Sequence, residues 1–420
     1  MLFTIKKKDS DSSSNQIKLD NKNIDIEVLV MMIENLQNCS GCHACYSICP
    51  KTAINMVENY EGFLYPVIDK HKCISCDLCE KVCPVLNPLK KEPEKTNVFS
   101  GINIDEKIRI ESSSGGVFSI LAEQIINENG IVFGAKFSND FSVTHGWTEL
   151  KKDIVKFRGS KYLQSVMGDT YKECENFLKL GRKVLFTGTP CQIQGLKKYL
   201  GKEYDNLYTM DLICHGVPSN KIWQKYIEYI LFKTKTQRED IVKVSFRRKD
   251  FGWKKFSLSF SFKNKSEYLE NQHCSWWMLS FNKNIMMRNS CYFCSAKGNN
   301  IVSDITVGDF WGIEKYLSNY DDKGTSIIIS NTEKGIKLLN TFVNKLTLNK
   351  IDNYDAELYN TQLIKSIPIN KKRDVFIKCC VNNNFKTAYE KFVKDKVFVR
   401  LYKKGRHFCG QILRKIGVIN

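Results

Sequence analysis

The sequence predicts an α+β/α/β multidomain chain, with a small cysteine-stapled module followed by a larger α/β region. Three observations predict it. Two cysteine runs of identical spacing lie near the N-terminus, strand-like and helix-like segments alternate from about residue 97, and further cysteines recur at the ends of those segments. The 420 residues suit about two to four domains.

The first run is Cys39, Cys42, Cys45 and Cys49, spaced C-x2-C-x2-C-x3-C and followed by Pro50; Cys73, Cys76, Cys79 and Cys83 repeat it, followed by Pro84. This is the ligand pattern of a bacterial-type ferredoxin with two 4Fe-4S clusters. Two-residue gaps let three sulfurs of one loop point into a common pocket. The fourth comes from the other run, so Cys83 is expected to complete cluster 1 (Cys39, Cys42, Cys45) and Cys49 to complete cluster 2 (Cys73, Cys76, Cys79). Structural zinc more often shows two C-x2-C pairs and a longer spacer. A disulfide framework needs an oxidising compartment, and the leading MLFTIKKKDSDSSSN has no apolar signal core.

Composition bounds the rest. Hydrophobic residues make up 42% of the chain, enough for real cores, and no stretch approaches a membrane span of about 20 apolar residues. With 17 cysteines, the expected setting is a reducing cytoplasm. The formal charge is +19, but an oxidised 4Fe-4S cluster with its thiolates carries about −2. A basic surface suits an acidic redox partner or an anionic acceptor. No nucleic-acid reader motif accompanies it, so nucleic acid is not an expected partner.

Along the chain, residues 1–37 read as a disordered or partly helical segment and 38–88 as the ferredoxin domain, with INMVENYEGFLYPVID forming a hairpin inside it. Asn87–Lys95 is a linker by its prolines and charges. In 97–216, strands at Val98–Ile102, Ile131–Phe137, Val184–Phe186 and Leu207–Ile213 alternate with helices at Val117–Ile126, Thr170–Leu180 and Gln192–Leu200, an α/β layer pattern. In 217–370, a helix at Ile222–Lys233 precedes the alternating VKVSFRR and KKFSLSFSFK, then CYFCSAKG, the strand-like SDITVGDFWG and a helix at Glu333–Leu346. The segment 371–420 reads as a basic helical tail, and Cys379, Cys380 and Cys409 in it lack ligand spacing.

A second cysteine constellation stands at element ends: Cys191 in GTPCQ, Cys214 in ICHG, and Cys291 and Cys294 as C-x2-C. Open α/β sheets place their sites there. Each has an alternative. Cys191 at a helix start could be a nucleophile, the C-x2-C pair a redox dithiol or half a zinc site, and Cys214 a buried thiol.

In this order, SSSGGVFSIL, GSKYLQS, GTPCQIQGL, LICHGVPS, RNSCYFCSAK and SDITVGDFWG resemble the family of coenzyme F-420 hydrogenase/dehydrogenase beta subunits. The resemblance covers about 97–313, behind the ferredoxin module. It implies an α/β flavin-binding domain holding FAD, with a third 4Fe-4S cluster on Cys191, Cys214, Cys291 and Cys294. FAD brings a pyrophosphate, which favours backbone N–H groups at a helix start. Ser112, Ser113, Ser114, Gly115 and Gly116 offer that geometry, although a serine-rich run is also an ordinary helix cap. Gly188 and Thr189 offer a second close approach, Lys161 and Lys136 a cation, and Asp309 and Trp311 a polar and a stacking partner. His215 and Lys161 are the candidate acid–base residues, although a lone histidine beside a ligand is more often structural, donating to a cluster sulfur or a backbone carbonyl.

The expected function is an iron-sulfur flavoprotein oxidoreductase. Electrons would move between a low-potential donor (a ferredoxin or another oxidoreductase subunit), three clusters and FAD. Hydride transfer would follow to or from a small organic acceptor, such as coenzyme F-420 or an anionic compound of polysaccharide biosynthesis. The competing expectation is an electron-carrying, bridging iron-sulfur subunit with no substrate chemistry of its own.

Overall fold

The computed structural model of the chain describes residues 38–89, 96–317, 320–342, 344–352 and 354–394. The expected N-terminal segment at 1–37, the linker residues 90–95 and the tail beyond 394, with Cys409, lie outside them.

The cysteine module is α1 (Ala44–Ile48), β1 (Ile54–Glu58), β2 (Leu64–Ile68) and α2 (Leu78–Lys81), with β1 and β2 paired as an antiparallel hairpin. The sequence repeat is also a backbone repeat. Gly41 and His43 in the first loop, and Ser75 and Asp77 in the second, all take positive φ, between 52° and 66°. Left-handed residues between the cysteines curl each loop tightly enough to turn its sulfurs inward, at a steric cost for the non-glycine members.

The remaining elements, in chain order, begin with β3 (Asn97–Asn103), α3 (Glu106–Glu111), α4 (Val117–Asn127), β4 (Ile131–Phe137), β5 (Val143–Thr148), α5 (Ile154–Phe157) and α6 (Thr170–Lys179). Next come β6 (Val184–Gly188), α7 (Pro190–Leu200), β7 (Leu207–Leu212), α8 (Asn220–Thr234), β8 (Ile241–Arg248), β9 (Ser257–Phe262), β10 (Glu267–Asn271) and α9 (Trp276–Asn282). The last are β11 (Ile305–Asp309), β12 (Ser326–Ser330), α10 (Glu333–Asn340), β13 (Leu346–Lys350), α11 (Ala356–Tyr359), α12 (Arg373–Asn382) and α13 (Phe385–Phe392).

Eight strands form one sheet in the order β13-β3-β12-β11-β7-β6-β4-β5. The central strands β11, β7, β6 and β4 run parallel, and the flanking pairs are antiparallel. Parallel strands are covered on both faces and therefore read as continuous apolar runs. Val184 and Phe186 of β6 face a core shared with α6 and α7, whereas Leu185 faces the core under α4 and α10. The cysteine module docks on the first face, because Cys42, Ala44 and Val82 belong to that same core.

A three-stranded sheet, β10-β9-β8, packs with α8, α9, α12 and α13 around Trp223, Phe246, Phe260 and Trp277. Cys380 lies buried in this aromatic core.

Two elements differ from expectation. Helix α7 begins at Pro190, because Thr189 and Gln192 form a reciprocal capping box and proline occupies the first turn. The helix expected over Glu333–Leu346 stops at Asn340, and Leu346–Lys350 is instead an edge strand paired with β3. The large sheet draws strands from both sides of residue 216, so the boundary expected there falls within one sheet.

Candidate cluster and cofactor sites

Cys39, Cys42, Cys45 and Cys83 line one small cavity together with Met56, Pro66, Pro84 and Val85. This is the crossed set, three thiols of one run and the last of the other. Cys39, Cys42 and Cys83 are buried. Burial is the largest influence on the Cys42 thiol and pushes it up to about 12, with Cys39 and Cys83 adding like-charge repulsion. Backbone N–H groups already face sulfur here, as in Gly41 N to Cys39 Sγ at 3.4 Å. Cys49, Cys73 and Cys79 gather beside Ile54 and Ile68, and Ala53 N donates to Cys49 Sγ at 3.3 Å. Cys76 of this second set is exposed, so the second set is the one at the surface.

The later four cysteines also converge. Cys191 follows β6, Cys214 follows β7, and Cys291 lies in the short 3-10 turn Asn289–Phe293 with Cys294 at its end. All four line a single cavity of about 270 Å³ with Ser40, Thr189, His215, Arg288 and Lys297. That is close to the lower end of the roughly 300–1,000 Å³ of small-molecule sites. Burial raises the Cys191 thiol far above its usual range and pushes Cys214 and Cys291 to about 12. A catalytic nucleophile needs the opposite shift. Among the described residues, no three His, Cys, Asp or Glu side chains are arranged to hold a single metal ion. The four thiols share the lining of this one cavity. Thr189 Oγ1 lies 3.2 Å from Cys191 Sγ, and Lys297 Nζ donates to the Cys214 carbonyl at 2.6 Å.

The first and third quartets adjoin across α7. A Cβ built on Gly195 would lie 2.9 Å from Cys42 Cβ and 3.1 Å from Cys42 Sγ. Gly195 is one turn beyond Cys191, on the same helix face. The buried Tyr171, whose hydroxyl donates to the Gln192 carbonyl at 2.7 Å, closes the gap.

The residues expected around FAD fall into two groups. Gly188 ends β6, and Thr189 caps α7 beside the third quartet. Ser112–Gly116, Lys161 and Asp309 form a second neighbourhood. Its side chains are largely committed: Ser112 Oγ donates to Ile108 O, Ser114 Oγ to Thr325 O, and Ser113 Oγ accepts from Ser160 N. A Cβ on Gly115 would meet Gly101 O at 2.1 Å, so glycine there answers backbone packing. What stays open is the first turn of α4, whose N-cap Gly116 supplies no side-chain bond. Lys161 Nζ is ringed by the carbonyls of Phe157, Arg158 and Gly159 at 3.2–3.3 Å, and burial lowers it to about 7. Lys136 on β4 runs beside Gly146 of β5.

Asp309 accepts from Arg247 Nη1 at 2.6 Å and from Trp253 Nε1 at 3.0 Å, and Trp253 stacks on Trp311. Arg247 also donates to Tyr162 Oη at 3.0 Å and lies over the Phe256 ring, yet its Nε and Nη2 are buried without a partner. Two orphaned donors of a buried guanidinium fit an acceptor-rich, anionic ligand such as FAD.

His215 joins the two regions. It lines the third cavity, its Nε2–H donates to Asn284 Oδ1 at 2.6 Å, and its ring lies 4.9 Å from Phe281, which in turn lies 4.7 Å from Tyr162. Burial lowers its pKa, which favours the neutral imidazole. Sequence reasoning missed Arg247, Arg288, Lys297 and Gly195.

On the central strand β7, Asp211 is buried, with both oxygens facing the Ser303 and Thr306 hydroxyls without a well-formed hydrogen bond. Burial pushes its carboxyl up to about 7. Among the described residues, no helix is long and apolar enough to cross a membrane.

Residues 181–354 match the family described as the C-terminal part of the coenzyme F420 hydrogenase/dehydrogenase beta subunits, and residues 11–90 match the 4Fe-4S dicluster domain. The coenzyme F420-dependent sulfite reductase of Methanocaldococcus jannaschii is 28% identical over 209 residues, covering 49% of this chain and 32% of that protein. The F component of the F(420)H(2) dehydrogenase of Methanosarcina mazei is 26% identical over 235 residues, covering 51% of this chain and 63% of that polypeptide. The matched part is thus a third of the first relative and under two thirds of the second. A solved chain of the F420-reducing NiFe hydrogenase complex from Methanosarcina barkeri aligns with a TM-score of 0.43 at 17% identity, over 70% of this chain and 91% of that one.

Proposed function

The chain belongs to the family of coenzyme F420 hydrogenase/dehydrogenase beta subunits and carries a 4Fe-4S dicluster domain at its N-terminal side, and from this we propose that it is an iron-sulfur flavoprotein oxidoreductase. Its donor would be a low-potential redox protein and its acceptor a small, anionic organic compound of the coenzyme F420 kind. When bound, three 4Fe-4S clusters would carry single electrons and FAD would exchange them for a hydride.

The residues have distinct tasks in this reading. Cys49, Cys73, Cys76 and Cys79, with exposed Cys76, form the face met by a donor. Cys39, Cys42, Cys45 and Cys83 hold the buried relay, and Cys191, Cys214, Cys291 and Cys294 hold the third site. Arg247, Lys161 and the first turn of α4 would grip the anionic parts of FAD. His215, Phe281 and Tyr162 fill the space between the third site and that grip and keep water out of it.

The observation that carries the reading is the contact of Cys42 with α7 one turn from Cys191, because it sets two thiol quartets side by side. The test is acid extraction of anaerobically purified protein. Released FAD is expected, near one per chain. Cluster-only protein would favour the bridging electron carrier.

A further inference from the structure

Arg288 is wholly buried, and every acceptor around it is neutral. Its Nε donates to Cys39 O at 2.7 Å, Nη1 to Gln164 Oε1 at 3.0 Å and Nη2 to Leu64 O at 2.9 Å. The guanidinium lies 4.3 Å from the Tyr65 ring centroid and 5.3 Å from that of Phe63. No carboxylate pairs with it among the described residues. Glu61 is taken by Arg373 in a two-pronged pair at 2.8 and 2.5 Å.

A buried cation without a counter-charge is strongly unfavourable. Protein groups elsewhere in this fold obey that rule, as Arg109 with Asp321 and Arg373 with Glu61 show. The position of Arg288 supplies the missing anion. A Cβ on Gly41, between Cys39 and Cys42, would lie 2.9 Å from Arg288 Nη1, so the guanidinium rests on the loop of the first quartet. The same side chain lines the cavity of the third quartet. Each oxidised cluster with its thiolates would bring about −2.

We propose that Arg288 is a shared counter-charge for the first and third clusters, a positioning residue that raises both reduction potentials together and fastens the cysteine module to the body. The inference rests on the three-cluster reading above. The step it favours is reduction of either cluster by one electron, with the donor protein oxidised by one electron. Arg288 stays protonated, and no bond forms or breaks at it. The second cluster, on Cys49, Cys73, Cys76 and Cys79, does not share the charge.

The test adds or withholds charge without touching the arginine. Gln164→Glu places a carboxylate on Nη1 in the same shape and gives up only the Nε2 bond to the Ser40 carbonyl, whereas Gln164→Leu gives up both bonds and adds no charge. Each full chain is loaded anaerobically, its iron counted, and its clusters titrated with dithionite under EPR. In Gln164→Glu, the reduction equilibrium of the first and third clusters should fall tenfold or more, about 59 mV for one electron. The second cluster should move by less than twofold, and Gln164→Leu should stay near wild type. Loss of the first and third clusters from Gln164→Glu alone is the same result in stronger form. Equal shifts or equal iron loss in both variants, or no shift in either, would overturn the inference. A wild-type count of about eight irons instead of twelve would fail the three-cluster reading itself; twelve irons with unmoved potentials would fail only the shared counter-charge.

Discussion

Gly195→Ala should destabilise this protein, although the same change inside an ordinary helix stabilises by about 1 kcal/mol. The new methyl would lie 2.8 Å from Tyr171 Oη and 2.9 Å from Cys42 Cβ. Neither is a loose chain end. Tyr171 is fully buried with its hydroxyl bonded to Gln192 O, and Cys42 is tied into the first thiol quartet. Overpacking of this kind costs about 1–3 kcal/mol, so the net effect is a loss of about 0–2 kcal/mol. The displacement falls on the docking of the cysteine module, not on the helix. Anaerobic urea unfolding, followed at the cluster absorbance, should show a lower midpoint. Stopped-flow reduction should show the first two clusters filling normally and the third filling slowly. A variant more stable than wild type, with unaltered transfer to the third site, would refute the packing of the two quartets through α7.

Cys191→Ser should remove about one third of the iron and leave both ferredoxin clusters, while Cys83→Ser should damage the first cluster and spare the second; EPR of each reduced variant checks both, and loss of the second cluster in Cys83→Ser would contradict the crossed ligation. Asp211 has a folded pKa raised from 3.8 to about 7 by burial, so the folded state holds its proton longer than the unfolded chain. The stability this gives is present below pH about 4 and lost as pH rises toward 7, on the order of 4 kcal/mol in full. Asp211→Asn should flatten stability across that window and raise it at pH 8, and an unchanged pH profile would speak against it. Glu61→Gln leaves Arg373 buried and half-paired between the cysteine module and α12, and should cost about 3–5 kcal/mol; an unmoved thermal midpoint would show that the pair is not structural.

What could be read from the chain was what is local. The ferredoxin cysteines work through two-residue gaps, so Cys39 to Cys83 carried their own geometry. The apolar runs at Val184–Phe186 and Leu207–Ile213 marked strands buried on both faces. The later cysteines did not, because Cys191, Cys214, Cys291 and Cys294 meet only after β6, β7 and the 3-10 turn are brought together. The helix expected over Glu333–Leu346 overran into Leu346, the first residue of the strand Leu346–Lys350, because that strand's character depends on an edge position beside β3. The SSSGG run looked like a phosphate cradle, yet its hydroxyls turn to Ile108, Thr325 and Ser160. Arg288 and Arg247 were indistinguishable from surface arginines, since nothing in their neighbours signals burial without a carboxylate in one case and with two orphaned donors in the other.

The central claim is that twelve thiolates on this chain hold three cubes. Iron and acid-labile sulfide, counted per polypeptide after anaerobic isolation, test it most directly. About twelve of each are expected. About eight, with Cys191, Cys214, Cys291 and Cys294 all open to alkylation in the native protein, would contradict it.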